Sequence, residues 1–181
     1  CIRDSYHQED LTGAISDFDQ AIALAPKMIV AYNNRAFVRL DRGDLAGAIS
    51  DYDQAIAIDP QASMVYANRG CVRYKQGDMV GAISDCDQAI AIDPKLAVAY
   101  YGRGLARFDR GDLAGAISDF DQAIAIDPKM GDAYSNRAVA RKALGDEAMA
   151  SSDFDQAIAR APQDAETYSL QGCARHKQGD L

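Results

Sequence analysis

A chain of 181 residues, 48% hydrophobic and 25% charged with a mean hydropathy of −0.26, can bury a sizeable core and is too polar for a membrane protein. Its 27 acidic against 19 basic residues leave a net charge of −8, which disfavours a nucleic-acid partner because such binding needs a basic face to displace counterions. Apolar runs such as Ala55-Ile56-Ala57-Ile58 fall far short of the ~20 residues that span a bilayer, so no membrane partner is expected.

The prolines organise the rest. Pro26, Pro60, Pro94, Pro128 and Pro162 each follow the last by 34 residues. Around them recurs the phrase Gly-Ala-Ile-Ser-Asp-x-Asp-Gln-Ala-Ile-Ala, at 13–23, 47–57, 81–91 and 115–125, with a looser copy at 149–159. Self-similarity at one fixed period marks a solenoid, in which each unit buries its apolar face only against its neighbours. In chain order the period gives a partial repeat over 1–28, full repeats over 29–62, 63–96, 97–130 and 131–164, and a partial repeat over 165–181, all in one continuous solenoid domain. The chain opens inside a first helix and shows no polar capping helix at either end. The sequence therefore predicts a fragment of a longer array, or chains that associate end to end as homo-oligomers or filaments.

Each repeat reads as two helices. In 29–62 the first runs from about Ile29 to Arg42 and stops at Gly43, a residue suited to a left-handed turn after a helix. Asp44 can cap the second helix with its side-chain oxygen. That helix spans about Leu45 to Ile58, with Ala48, Tyr52, Ala55 and Ile56 forming one apolar stripe. Pro60 ends it. The Gly-Asp pair returns at 77–78, 111–112, 145–146 and 179–180, while the first copy has Glu9-Asp10.

These residues resemble the tetratricopeptide repeat family over essentially the whole chain. The family places an aromatic at position 4 of the repeat, here Tyr32, Tyr66, Tyr100, Tyr134 and Tyr168, and a small residue at position 8, here Ala36, Gly70, Gly104, Ala138 and Gly172. Alanines hold position 20 (Ala14, Ala48, Ala82, Ala116, Ala150) and position 27 (Ala21, Ala55, Ala89, Ala123, Ala157). Position 24 is aromatic in Phe18, Tyr52, Phe120 and Phe154, with Cys86 the departure. The resemblance implies an all-α fold, a right-handed superhelical solenoid of antiparallel helix pairs, and a scaffold that binds a protein or peptide in its concave groove.

In the family, positions 2, 5, 9 and 12 of the first helix line that groove. They read Val30, Asn33, Phe37, Leu40; Met64, Ala67, Cys71, Tyr74; Val98, Tyr101, Leu105, Phe108; then Asp132, Ser135, Val139, Lys142 and Glu166, Ser169, Cys173, His176. The central part is apolar and aromatic, the residue types that anchor interfaces, and the end of the array turns polar. Position 9 is expected to be partly buried between neighbouring helices. Asn34, Asn68 and Asn136 recur at position 6, either to hold a ligand backbone or to satisfy local polar groups. One subtype of the family clamps a chaperone's C-terminal carboxylate with cations; position 5 is Asn33, Ala67, Tyr101 and Ser135 here, so that partner is not expected.

Positions 7 and 11, usually aliphatic and aromatic in the family, are mostly Arg: Arg35/Arg39, Arg69/Arg73, Arg103/Arg107, Arg137/Arg141, with Arg175 continuing the series. The second helices carry matching pairs, Asp17/Asp19, Asp51/Asp53, Asp85/Asp87, Asp119/Asp121 and Asp153/Asp155. Equal recurrence predicts that the two sets pair with each other as exposed register-setting contacts, rather than that the arginines bind phosphate. No catalytic, cofactor or metal site is expected. His7 and His176 stand far apart, Cys1, Cys71, Cys86 and Cys173 form no zinc-ligand spacing, and Gly102-Arg103-Gly104 has no strand before it. The absence of paired cysteines suggests a reducing, cytoplasmic setting; a lipid-modified Cys1 is the other reading of the start, one that would begin partway through a helix.

Overall fold

A computed structural model of the chain describes residues 2–161, 165 and 167–171, with side chains described from residue 11 onward. Among these residues there is no strand, and nine helices run complete: α1 (Ile2–Leu24), α2 (Ile29–Asp41), α3 (Leu45–Ile58), α4 (Ser63–Lys75), α5 (Met79–Ile92), α6 (Ala97–Asp109), α7 (Leu113–Ile126), α8 (Gly131–Ala143) and α9 (Glu147–Arg160). Residues 167–171 are helical as well. The chain falls into two compact units, Cys1–Pro94 and Lys95–Leu181.

One Gly-Asp pair makes each hairpin corner. Gly43, Gly77, Gly111 and Gly145 all take positive φ, 81° to 85°, where a β-carbon would clash with the following carbonyl. At the first corner the Gly43 amide donates to Leu40 O at 2.9 Å and the Asp44 amide to Arg39 O at 2.8 Å, which satisfies the last carbonyls of α2. The Asp44 carboxylate then accepts from the Gly47 amide at 2.9 Å, so one residue closes α2 with its backbone and opens α3 with its side chain. Asp78, Asp112 and Asp146 repeat both roles. Where Glu9-Asp10 replaces the pair, no glycine is available for the left-handed turn, and α1 runs on without a break. At the other end of each pair, Asp59, Asp93 and Asp127 precede a proline and are extended, as steric contact with the proline ring requires, so the helices stop there.

The core is built from alanine and one position-24 residue per pair, large in every full repeat except at Cys86. In the first unit Ala36, Ala48, Ala55 and Val72 pack around Tyr52 and Tyr32, with Ile22, Leu40 and Ile56 half-buried against them. In the second unit Ala138, Ala150 and Phe154 are buried together, with Val139 and Leu170 against them. Small residues at these positions let helix backbones approach. The limit is visible at Gly104, where a β-carbon would lie 2.7 Å from the Phe120 ring. Position 24 remains buried in every described full repeat, including Cys86.

Candidate protein-binding surface

The arginines at position 7 do not face a ligand. Arg35 donates through Nε and Nη2 to the two oxygens of Asp51, at 2.9 and 2.5 Å, while Arg39 Nη1 donates to Asp51 Oδ2 at 2.8 Å. Arg69 with Asp85, Arg103 with Asp119 and Arg137 with Asp153 repeat the pairing. The third guanidinium nitrogen reaches back to the preceding helix pair: Arg35 to Asp19, Arg69 to Asp53 and Arg137 to Asp121. Gln171, at the same position one repeat later, keeps this backward bond, donating to Asp155 Oδ1 at 2.7 Å.

In the full repeats the expectation of exposed pairs fails for the first aspartate of each set, whereas Asp53, Asp87 and Asp155 are exposed and Asp121 is half-buried. Asp51, Asp85, Asp119 and Asp153 are buried, because the arginine forks and the helix pairs close over them. Each position-7 arginine also lies over the position-4 tyrosine ring, 5.4 to 5.6 Å from its centre. Hydrogen bonding to Asp51 and Asp85 holds Arg35 and Arg69 above the usual guanidinium range. Burial alone would lower Arg137, but the bonds to Asp153 and Asp121 outweigh it. These guanidinium groups are thus committed to carboxylates inside the fold.

With that face consumed, the first helices present another. In the first unit Val30, Phe37 and Met64 are 61%, 58% and 48% exposed, and Asn34 and Cys71 are exposed beside them. Asn33, Leu40, Asn68 and Tyr74 are half-buried, Leu40 against the core. Asn68 Nδ2 donates to Asn33 Oδ1 at 3.1 Å, joining α4 to α2. Position 9 is therefore not tucked between helices at Phe37 or Cys71, whose neighbours along α2 and α4 leave them open; it is half-buried at Leu105 and Val139.

In the second unit Val98 is exposed, and Tyr101, Leu105 and Phe108 are half-buried along α6. Tyr101 packs on Phe120, ring centres 5.9 Å apart, and its hydroxyl accepts from Asn136 Nδ2 at 3.1 Å. Asn136 Nδ2 also donates to the Asp132 carbonyl at 2.8 Å. Asn68 and Asn136 thus repeat one device: position 6 of a first helix bonds position 5 of the helix before it. Each of these two amides therefore has a partner within the fold. Beside Tyr101 a cavity of about 200 Å³ is lined by Asp132, Ser135, Asn136, Val139, Thr167 and Leu170.

The family profiles described as TPR repeat match residues 38–77 and 104–145, and the profile described as tetratricopeptide repeat matches 131–164, more than half of the chain. The chain belongs to the tetratricopeptide repeat family. No curated protein matches its sequence. Among solved structures, a thermophilic tetratricopeptide repeat protein from Thermus thermophilus is 21% identical, covering 94% of this chain and 93% of that one with a TM-score of 0.75. The tetratricopeptide repeat protein YrrB, described as having an unusual peptide-binding site, is 20% identical over 91% of this chain and 84% of its own, TM-score 0.72. The first such domain of Spaghetti (RPAP3), bound to the HSP90 peptide SRMEEVD, is 27% identical over 66% of this chain and 97% of its own, TM-score 0.64. Tetratricopeptide repeats generally mediate protein–protein interaction.

Two parts of this surface escaped the sequence reading. The burial of Asp51 and its counterparts depends on how helix pairs close, which spacing along one helix does not show. The cavity draws in Thr167, at position 3 and outside the expected groove, and Leu170, at position 6, where only the recurring asparagines were expected to contribute; the available signal was Asp132, a carboxylate at position 2, where Val30, Met64 and Val98 are apolar. Among the described residues no group of histidine, cysteine and acidic side chains could hold a metal ion, and no helix is long and apolar enough to cross a membrane. Glu166, Cys173, Arg175 and His176, like Cys1 and His7, lie outside the described side chains.

Proposed function

We propose that the first helices of each unit hold a segment of a partner protein. In the first unit the contact side chains are Val30, Asn33, Asn34, Phe37 and Leu40 on α2 with Met64, Asn68, Cys71 and Tyr74 on α4. In the second they are Val98, Tyr101, Leu105 and Phe108 on α6 with Asn136 on α8.

The observation that carries this reading is the exposure of Val30, Phe37 and Met64, large apolar side chains left in water on a fold that buries Tyr52, Phe120 and Phe154 almost completely. Apolar groups clustered at a surface favour association, because covering them returns about 25 cal/mol for each Å² removed from water. Flanking asparagine amides supply hydrogen-bonding groups for a peptide backbone, and a partner helix or extended strand could each use such a face. The peptide-bound and peptide-binding neighbours of this fold support the same use. Position 5 carries no cation, which argues against a partner held by a terminal carboxylate.

The test is selection of short random peptides on the intact chain, repeated with Phe37→Ala and Met64→Ala together. Both side chains are exposed, so the fold should survive. Selected peptides should lose at least ten-fold in affinity for the double variant; undiminished binding by a folded variant would remove this face from the site.

A further inference from the structure

The cavity in the second unit differs in chemistry from the apolar face beside it. Its lining brings together a carboxylate (Asp132), an amide (Asn136), three hydroxyls (Tyr101, Ser135, Thr167) and the apolar side chains of Val139 and Leu170. Ser135 and Thr167 hydroxyls lie 3.3 Å apart, and Asn136 spends its amino group on Tyr101 and the Asp132 carbonyl, which leaves its carbonyl oxygen among the acceptors. Asp132 is exposed. Its position contrasts with Asp51, Asp85, Asp119 and Asp153, each gripped by arginines, since no cation among the described residues pairs with Asp132. Lys142, on the same helix, stands ten residues on, about 15 Å along the axis, too far to neutralise it. The dipole of α8 favours a carboxylate in its first turn but leaves the cavity open.

A site whose carboxylate has no cation partner among the described residues, with several acceptors and two apolar lining side chains, suits a group with a flat array of N–H donors on an aliphatic stem. We propose that this cavity receives an arginine side chain, its guanidinium on Asp132 and the Asn136 carbonyl and its methylenes against Val139 and Leu170. That the arginine belongs to a partner segment rests on the function proposed above; the partner is then an apolar segment carrying a basic residue, which also suits a chain of net charge −8.

The test is an NMR titration of the whole chain with N-acetyl-L-arginine amide, with N-acetyl-L-norleucine amide as the uncharged control. The backbone amides of Asp132, Ser135, Asn136 and Val139 should shift and saturate with the arginine compound and not with the norleucine one. Asp132→Asn should weaken the response at least five-fold with an otherwise unchanged spectrum, and Ser135→Val, which narrows the cavity, should abolish it. Equal response to the two compounds, absence of saturable shifts, or full binding by folded Asp132→Asn would overturn the proposal. The probe contains no partner segment. A positive titration with a failed peptide selection would therefore remove the partner-holding reading alone, and a negative titration would remove the arginine site whatever the selection gave.

Discussion

Asp85, 2% exposed, receives two parallel hydrogen bonds from the Arg69 guanidinium, Nε to Oδ2 at 2.9 Å and Nη2 to Oδ1 at 2.6 Å. The remaining arm of Arg69 reaches Asp53, whose side chain is 49% exposed. One arginine therefore makes a buried bond inside its own helix pair and a surface bond to the pair before it.

These two bonds should differ sharply in worth. Removing Asp85 leaves a guanidinium desolvated without its main partner, so Asp85→Ala should destabilise by about 3 kcal/mol or more. Asp53→Ala loses a solvent-screened pair and should cost about 0.2–1 kcal/mol. Urea denaturation of the two variants provides the comparison; equal losses would contradict the assignment of buried and surface roles.

Glycine-to-alanine changes should split by environment. At Gly104 a new β-carbon meets the Phe120 ring, so Gly104→Ala should cost roughly 1–3 kcal/mol through overpacking. Gly13 is helical, with nothing near its open side, so Gly13→Ala should stabilise by up to about 0.5–1 kcal/mol. Thermal melts of both would show opposite signs.

Burial, with smaller contributions from Cys71 and Asp51, pushes the Tyr52 hydroxyl up to about 12. The folded state thus holds this proton more tightly than the unfolded chain, where tyrosine titrates near 10. The sign follows: this contribution is complete below about pH 10 and is lost as pH rises from about 10 to 12. Stability measured across that window should fall less steeply for Tyr52→Phe than for the unaltered chain, and parallel curves would reject the assignment.

The two cysteines of the repeat over 63–96 should react differently. Cys71 is exposed on α4 within the proposed contact face, and Cys86 is buried on α5. A thiol reagent should modify Cys71 in the native chain and Cys86 only in denaturant, with sites read by mass spectrometry. A selected peptide should slow the Cys71 reaction, whereas unchanged labelling at saturating peptide would place the contact elsewhere.

Local chemistry explains what was readable from the residues alone. The 34-residue spacing of the prolines, the glycine needed for a positive φ and the aspartate able to cap the next turn act within a few residues of themselves. They determined the helix pairs, their boundaries to within a residue and the buried stripe of Ala48, Tyr52 and Ala55. The unbroken α1 departs from the two-helix reading of the partial repeat over 1–28, because Glu9-Asp10 offers no glycine for the left-handed turn. Properties that depend on which side chains meet across helices were decided only in three dimensions. The pairing of Arg with Asp was foreseeable from recurrence, but the burial of Asp85 and the exposure of Asp53 depend on where the next helix pair covers the surface. Position 9 lies open at Phe37 and half-closed at Leu105 for the same reason. Identical register along a helix fixes direction, while burial is set by the neighbours that arrive from elsewhere in the chain.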